Sequence, residues 1–142
     1  SSKKFKRAVL DYLNNELELE RNEIEDLRNQ IFNYCTEKIK RKEDISLSHV
    51  SSIMDEENPE LFQEFAAREE YQVSPYVKGH KGTLKSLKFY VYRSKDLTIE
   101  FDSSLLNDRI AYNSNSNELT IREVPDDLRQ QILNVQTEEV ED

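Results

Sequence analysis

The chain has 142 residues, with 20 Lys and Arg against 29 Asp and Glu for a formal net charge of −9, and is 36% hydrophobic and 35% charged. That length suits one domain with a buried core and strains to hold two, and its apolar residues recur in periodic runs that a disordered chain lacks. A lone cysteine, Cys35, excludes an intrachain disulfide and a cysteine-built zinc centre and fits a reducing cytoplasm, and no apolar run approaches the about 20 residues that cross a bilayer.

The opening "SSKKFKR" lacks the apolar core of a secretory signal. It starts at Ser-Ser rather than Met, as a processed product or an excised piece of a longer protein would. Phe5, Val9 and Leu13 then predict a short amphipathic helix. Ile24, Leu27, Ile31, Cys35 and Ile39 repeat at intervals of three and four, which predicts a helix from about Glu20 to Lys42 with one apolar stripe. Its cationic end, Lys38, Lys40, Arg41 and Lys42, suits the negative pole of the helix dipole. "DISLSHVSSIM" predicts a further short helix with Ser46 as N-cap, and Asn58-Pro59 opens another that buries Leu61, Phe62, Phe65 and Ala66.

After Tyr71 the period falls from 3.6 to 2. Leu87, Phe89 and Val91 alternate with Lys88, Tyr90 and Tyr92, and Leu97, Ile99 and Phe101 alternate with Thr98, Glu100 and Asp102. Keeping the apolar residues on one face predicts the register Phe89–Phe101 and Val91–Ile99 around a turn at Ser94 to Asp96, with Lys88 opposite Asp102. A second hairpin pairs Ile110 with Ile121 and Tyr112 with Leu119 across an Asn/Ser turn, and Pro125 opens a closing helix with Leu128 and Ile132. The expected fold is α+β: N-terminal helices, a four-stranded antiparallel meander and a closing C-terminal helix. The expected organisation is a single domain over 1–134 (helical half 1–72, β half 73–134), followed by an acidic flexible tail at 135–142.

One run breaks the acidic character. From Val77 to Lys95, "VKGHKGTLKSLKFYVYRSK" holds six cations and no carboxylate, which leaves 14 Lys and Arg against 29 acids, or −15, on the rest of the chain. Polarity of this kind suits a polyanion, whose phosphates reward each neutralised charge by counterion release and require no base reading. Lys78, Lys81, Lys85, Lys88, Arg93 and Lys95 are therefore candidate nucleic-acid contacts, with Tyr76, Tyr90 and Tyr92 available for stacking. Arg109 and Arg122 join them, because like charges facing each other across a hairpin are unfavourable unless something anionic lies between. The competing structural explanation is that strand alternation splits the run and that Lys88 simply pairs with Asp102.

Catalytic readings find little support. Asp96, Glu100 and Asp102 crowd one hairpin, as magnesium-binding carboxylates do, but no strand carries the acid-x-Lys pairing that would complete such a site. His49 and His80 are far apart in sequence, Cys35 falls on a helix core position, and no phosphate loop, serine elbow or zinc spacing occurs. Neither an enzyme, a cofactor, a metal nor a small-molecule substrate is expected.

The stretch "LTIEFDSSLLNDRIAYNSNSNELTIREVPDDLRQQI", Leu97 to Ile132, together with "RNQIFNYC" and "FQEFAAREEY" upstream, resembles the C-terminal part of the bacterial NdpA (YejK) nucleoid-associated proteins. The resemblance spans roughly Glu20 to Leu133, and departs from the family where glycines between the first two strands are replaced by "YRSKDL". It implies a C-terminal fragment that lacks the family's longer N-terminal region, a cytoplasmic, nucleoid location, and association with DNA. The expected function is a non-enzymatic module making weak, sequence-independent contact with duplex phosphates. The alternative is a protein-interaction or dimerisation module, pairing with itself or with a DNA-handling enzyme, that does not itself bind DNA. Net negative charge favours that alternative.

Overall fold

A computed structural model describes residues 1–141, with side chains described through Val135. Its contacts divide the chain into two compact units, Ser1–Ser103 and Ser104–Asp142.

The first unit is mainly helical. Helix α1 (Ser2–Asp11) starts at Ser1, whose hydroxyl accepts from the Lys4 amide at 3.4 Å, and it buries Phe5, Ala8 and Val9. A π turn, Tyr12–Glu16, continues it and ends where Leu17 goes extended. Helix α2 (Arg21–Lys40) lies within the predicted span, fixed by a capping box in which Glu20 and Glu23 each satisfy the other's backbone amide. Ile31 and Cys35 are fully buried, while Ile24, Leu27 and Ile39 pack half-buried beside them. Ser46 caps α3 (Leu47–Met54) as predicted, its hydroxyl accepting from His49 N at 3.4 Å.

Helix α4 (Leu61–Ala66) begins later than the Asn58-Pro59 signal suggests, and of its predicted apolar face Leu61 stays 43% exposed while Phe62, Phe65 and Ala66 are buried. In a six-residue helix the first residue lies off the buried stripe. Tyr12 joins α1 to α4, its ring edge-on to Phe62 at 5.2 Å and to Phe65 at 5.1 Å. Each fully buried Leu, Ile or Phe of this core contributes about 1.5–3 kcal/mol.

The strands do not form a four-stranded meander. They form three separate two-stranded antiparallel sheets: β1 (Ile45–Ser46) with β2 (Tyr76–Val77), β3 (Phe89–Arg93) with β4 (Thr98–Asp102), and β5 (Ile110–Asn113) with β6 (Glu118–Ile121). The β3–β4 register is one residue away from the predicted one: Tyr90 pairs with Phe101 and Tyr92 with Ile99, while Phe89 faces Asp102. The cause lies in the turn. Ser94 N donates to the Leu97 carbonyl at 2.8 Å, closing a four-residue loop that sets the pairing, and Phe89 finds its aromatic partner on α2, Phe32, at 5.9 Å. The predicted alternation assumed a sheet with one buried face, which a hairpin with mostly exposed residues does not have.

In the second unit the hairpin register is as predicted, Ile110 opposite Ile121 and Tyr112 opposite Leu119. Pro125 precedes α6 (Asp126–Glu141), and its carbonyl accepts from Arg129 N at 2.9 Å. The flexible tail expected at 135–142 falls mostly on side chains outside the described residues, and Asp142 lies outside them altogether.

Candidate nucleic-acid interface

The basic run is pinned to the helical core at three points. Gly79 lies so close to the end of α2 that a Cβ there would sit 2.8 Å from Ile39 Cγ1 and 3.0 Å from Ile45 Cδ1. His80 N donates to the Ser2 hydroxyl at the start of α1, at 3.2 Å. Further on, the short helix α5 (Lys81–Leu84) and the 3-10 turn Lys85–Leu87 bury Leu84 and Leu87, and the buried Arg28 guanidinium of α2 donates through Nε to the Leu87 carbonyl at 2.7 Å. A cation buried on carbonyls at the end of a helical turn satisfies its own donors and that turn's free acceptors together.

This anchoring sorts the six cations. Lys85 and Arg93 both reach Glu100, at 2.8 Å and 3.2 Å. The Lys85 hydrogen bond, with help from Arg93, holds the Glu100 carboxyl below the usual glutamate range. Lys88 is only 6% exposed and is bound to Asp102 at 2.8 Å and Glu25 at 3.9 Å, while Glu25 also accepts from the Ser103 hydroxyl at 2.7 Å. The Lys88–Asp102 pair read from the sequence is real, but it forms diagonally across the shifted register and inside the fold. Lys78, Lys81 and Lys95 are exposed and have no acid partner among the described residues. The run is therefore three cations paired with acids, two of them sharing Glu100, and three without an acid partner among the described residues.

Arg109 and Arg122 do lie opposite each other, with Arg122 N donating to the Arg109 carbonyl at 2.8 Å. Each finds acceptors within the hairpin. Arg109 Nη2 donates to the Glu123 carbonyl at 2.8 Å, with the Glu123 carboxylate 3.7 Å from its Nε, and Arg122 Nη1 donates to the Asp108 carbonyl at 3.0 Å.

Lys78 gains company that the sequence reading missed. A cleft of about 440 Å³ opens where α1 meets the loop after β2, and Ser2, Lys3, Tyr76, Lys78 and His80 line it. The signal was present in "SSKKFKR", four cations in seven residues, but only the packing of α1 against α5 brings Lys3 into one cleft with Lys78. Tyr76 is 68% exposed here, whereas Tyr90 is tilted against Phe101 at 5.2 Å and lies 5.8 Å from the Arg28 guanidinium.

The residues weighed for catalysis have other surroundings. Cys35 is fully buried, and desolvation pushes its thiol up to about 12, far from a nucleophile's range. His49 stacks on Tyr34 with ring centroids 4.1 Å apart. Among the described residues no three of His, Cys, Asp and Glu converge on a metal position, and no helix is long and apolar enough to cross a membrane.

The family model of the nucleoid-associated protein YejK matches residues 1–129. The chain belongs to this family. A nucleoid-associated protein of Cronobacter sakazakii is 33% identical over 124 residues, covering 87% of this chain and 37% of the relative. Another, of Vibrio parahaemolyticus, is 32% identical over 115 residues, covering 80% and 35%. A third, of Metapseudomonas resinovorans, is 30% identical over 126 residues, covering 89% and 38%. The chain thus spans little more than a third of the length of these relatives.

Proposed function

We propose that this chain is a non-enzymatic, DNA-associating module that touches duplex phosphates weakly and without reading sequence, through the cleft between the start of α1 and the Lys78–Lys81 loop. The observation that carries this reading is the pairing pattern: Lys78 and Lys81 lack acid partners among the described residues, and Lys78 shares the cleft with Lys3, whereas Lys85, Lys88 and Arg93 are paired with acids inside the chain. Family membership supports the same reading, since the relatives are named nucleoid-associated proteins. A localisation in the nucleoid follows from it.

The pattern also scales the affinity. About three phosphate contacts give a log-log salt slope near −2.7, or roughly 40-fold between 50 and 200 mM salt, against a slope near −5 if all six cations took part. Fluorescence anisotropy on a labelled 25-bp duplex, titrated across that salt range, tests this. Lys3→Glu combined with Lys78→Glu is expected to abolish binding and Lys85→Glu to leave it nearly unchanged. Binding indifferent to salt, or to the double substitution, overturns the reading.

A second reading rests on a different observation. On β5, β6 and α6 large apolar side chains stay open, among them Tyr112 at 53%, Ile121 at 49%, Ile132 at 52% and Val135 at 57% exposed. An isolated two-stranded hairpin is marginal in water, and exposed apolar surface marks an interaction face. In this reading the chain associates with itself or another protein and leaves DNA to the rest of the longer protein. Sedimentation at low and high concentration, beside heparin retention, separates the two: a stable dimer with no retention favours the second.

A further inference from the structure

Between α2 and α5 lies a second concavity, separate from the α1 cleft. It is a narrow slot of about 120 Å³ walled by Phe32, Ile39 and Leu84, with Thr36 its one uncharged polar side chain and Lys40, Lys81 and Lys85 as its charged residues. An internal apolar wall ringed by three lysines is unusual on a chain with a net charge of −9. Lys85 is engaged by Glu100 at 2.8 Å, but Lys40 and Lys81 have no acid partner among the described residues.

From this geometry we infer that the slot is a peptide-docking site, taking one branched aliphatic side chain of an acidic segment of a protein partner, with the segment's carboxylates on Lys40 and Lys81. Size decides the anchor. An apolar cavity of roughly 150 Å³ accommodates a benzene ring, so this slot takes a leucine-sized group and leaves the rest of the ligand outside; sites that enclose a whole small molecule run to about 300–1,000 Å³. Charge decides the flanks, because lysines without partners on either side of an apolar pocket complement an aliphatic group between acids. Chemistry argues against an extruded nucleobase, whose polar edge would enter a wall of Phe32, Ile39 and Leu84 with the Thr36 hydroxyl as its one uncharged polar group and would lose hydrogen bonds to water. The site is independent of the proposed DNA contact except for Lys81.

The test uses fluorescein-labelled seven-residue peptides of Asp and Glu with a central leucine or a central alanine, titrated against the intact chain by anisotropy. The leucine peptide is expected to bind about tenfold or more tightly than the alanine one, since the apolar group alone distinguishes them. Thr36→Phe, which fills the slot, is expected to remove that preference while leaving duplex binding as in the unaltered chain. Lys40→Glu, an exposed position that leaves the core untouched, is expected to weaken the leucine peptide about tenfold, and it decides the matter if Thr36→Phe fails to fold.

Equal affinity for the two peptides, binding unaffected by Lys40→Glu, or no binding at millimolar peptide overturns the inference. So does competition by a thymidine oligonucleotide that disappears in Thr36→Phe, which would assign the slot to a base. Lys3→Glu with Lys78→Glu affects only the DNA reading, so the two proposals fail separately.

Discussion

Lys88 is a surface-type residue that the fold has drawn inside, where Asp102 and Glu25 meet its Nζ at 2.8 and 3.9 Å. Removing it would take the ammonium away from two part-buried carboxylates. Lys88→Ala is therefore expected to cost roughly 2–4 kcal/mol in urea unfolding while leaving duplex affinity unchanged, because its charge is not offered to solvent. Lys88→Met, matching the stem without the charge, should recover little, since the lost charge and not lost packing dominates. Tyr71 shows a milder form of the same coupling: its hydroxyl donates to Asp11 at 2.7 Å, and that bond to the carboxylate lifts the phenol to about 12.

At the scale of elements, the loop from β2 to α5 owes its path to one residue without a side chain. Gly79 does not need a left-handed backbone; it needs proximity, because any Cβ would press on Ile39 and Ile45, the latter fully buried. Gly79→Ala is expected to destabilise the chain by about 1–3 kcal/mol and, by pushing the loop off α2, to weaken duplex binding through misplacement of Lys78. Gly82 is the internal control: nothing lies within 4 Å of its would-be Cβ, so Gly82→Ala should change little and, within the short α5, could even stabilise by a few tenths of a kcal/mol. The β3–β4 hairpin illustrates the limit of reading elements from alternation. Its strands were identifiable from Phe89, Val91, Ile99 and Phe101, but the register followed the Ser94–Leu97 hydrogen bond and the pull of Phe32 on Phe89, neither of which a period-2 pattern contains.

At the scale of the molecule, charge segregation is weaker in the fold than along the chain, because Glu100 alone pairs with two cations of the run. Its lowered pKa means that the stabilisation from this pairing is fully present above the ordinary glutamate range and is lost as pH falls through the lowered value. Glu100→Gln imitates that loss at neutral pH and frees Lys85 and Arg93. It is expected to raise duplex affinity and steepen the salt slope by about one to two, read by the same anisotropy titration. An unchanged slope would mean that the hairpin faces away from DNA. What the sequence determined unaided were the properties carried by neighbours along the chain: the helical half, the Ser46 cap, the second hairpin's register, the kinship with nucleoid-associated proteins, and the acid-free run itself, since caps, periods and turns act over a few residues. Only the tertiary structure decided which cations lack an acid partner among the described residues, that the strands pair off two by two, and that Lys3 shares a cleft with Lys78, because whether a charge is paired depends on the acid that a hairpin's register or a distant helix brings beside it, as α2 brings Glu25 to Lys88.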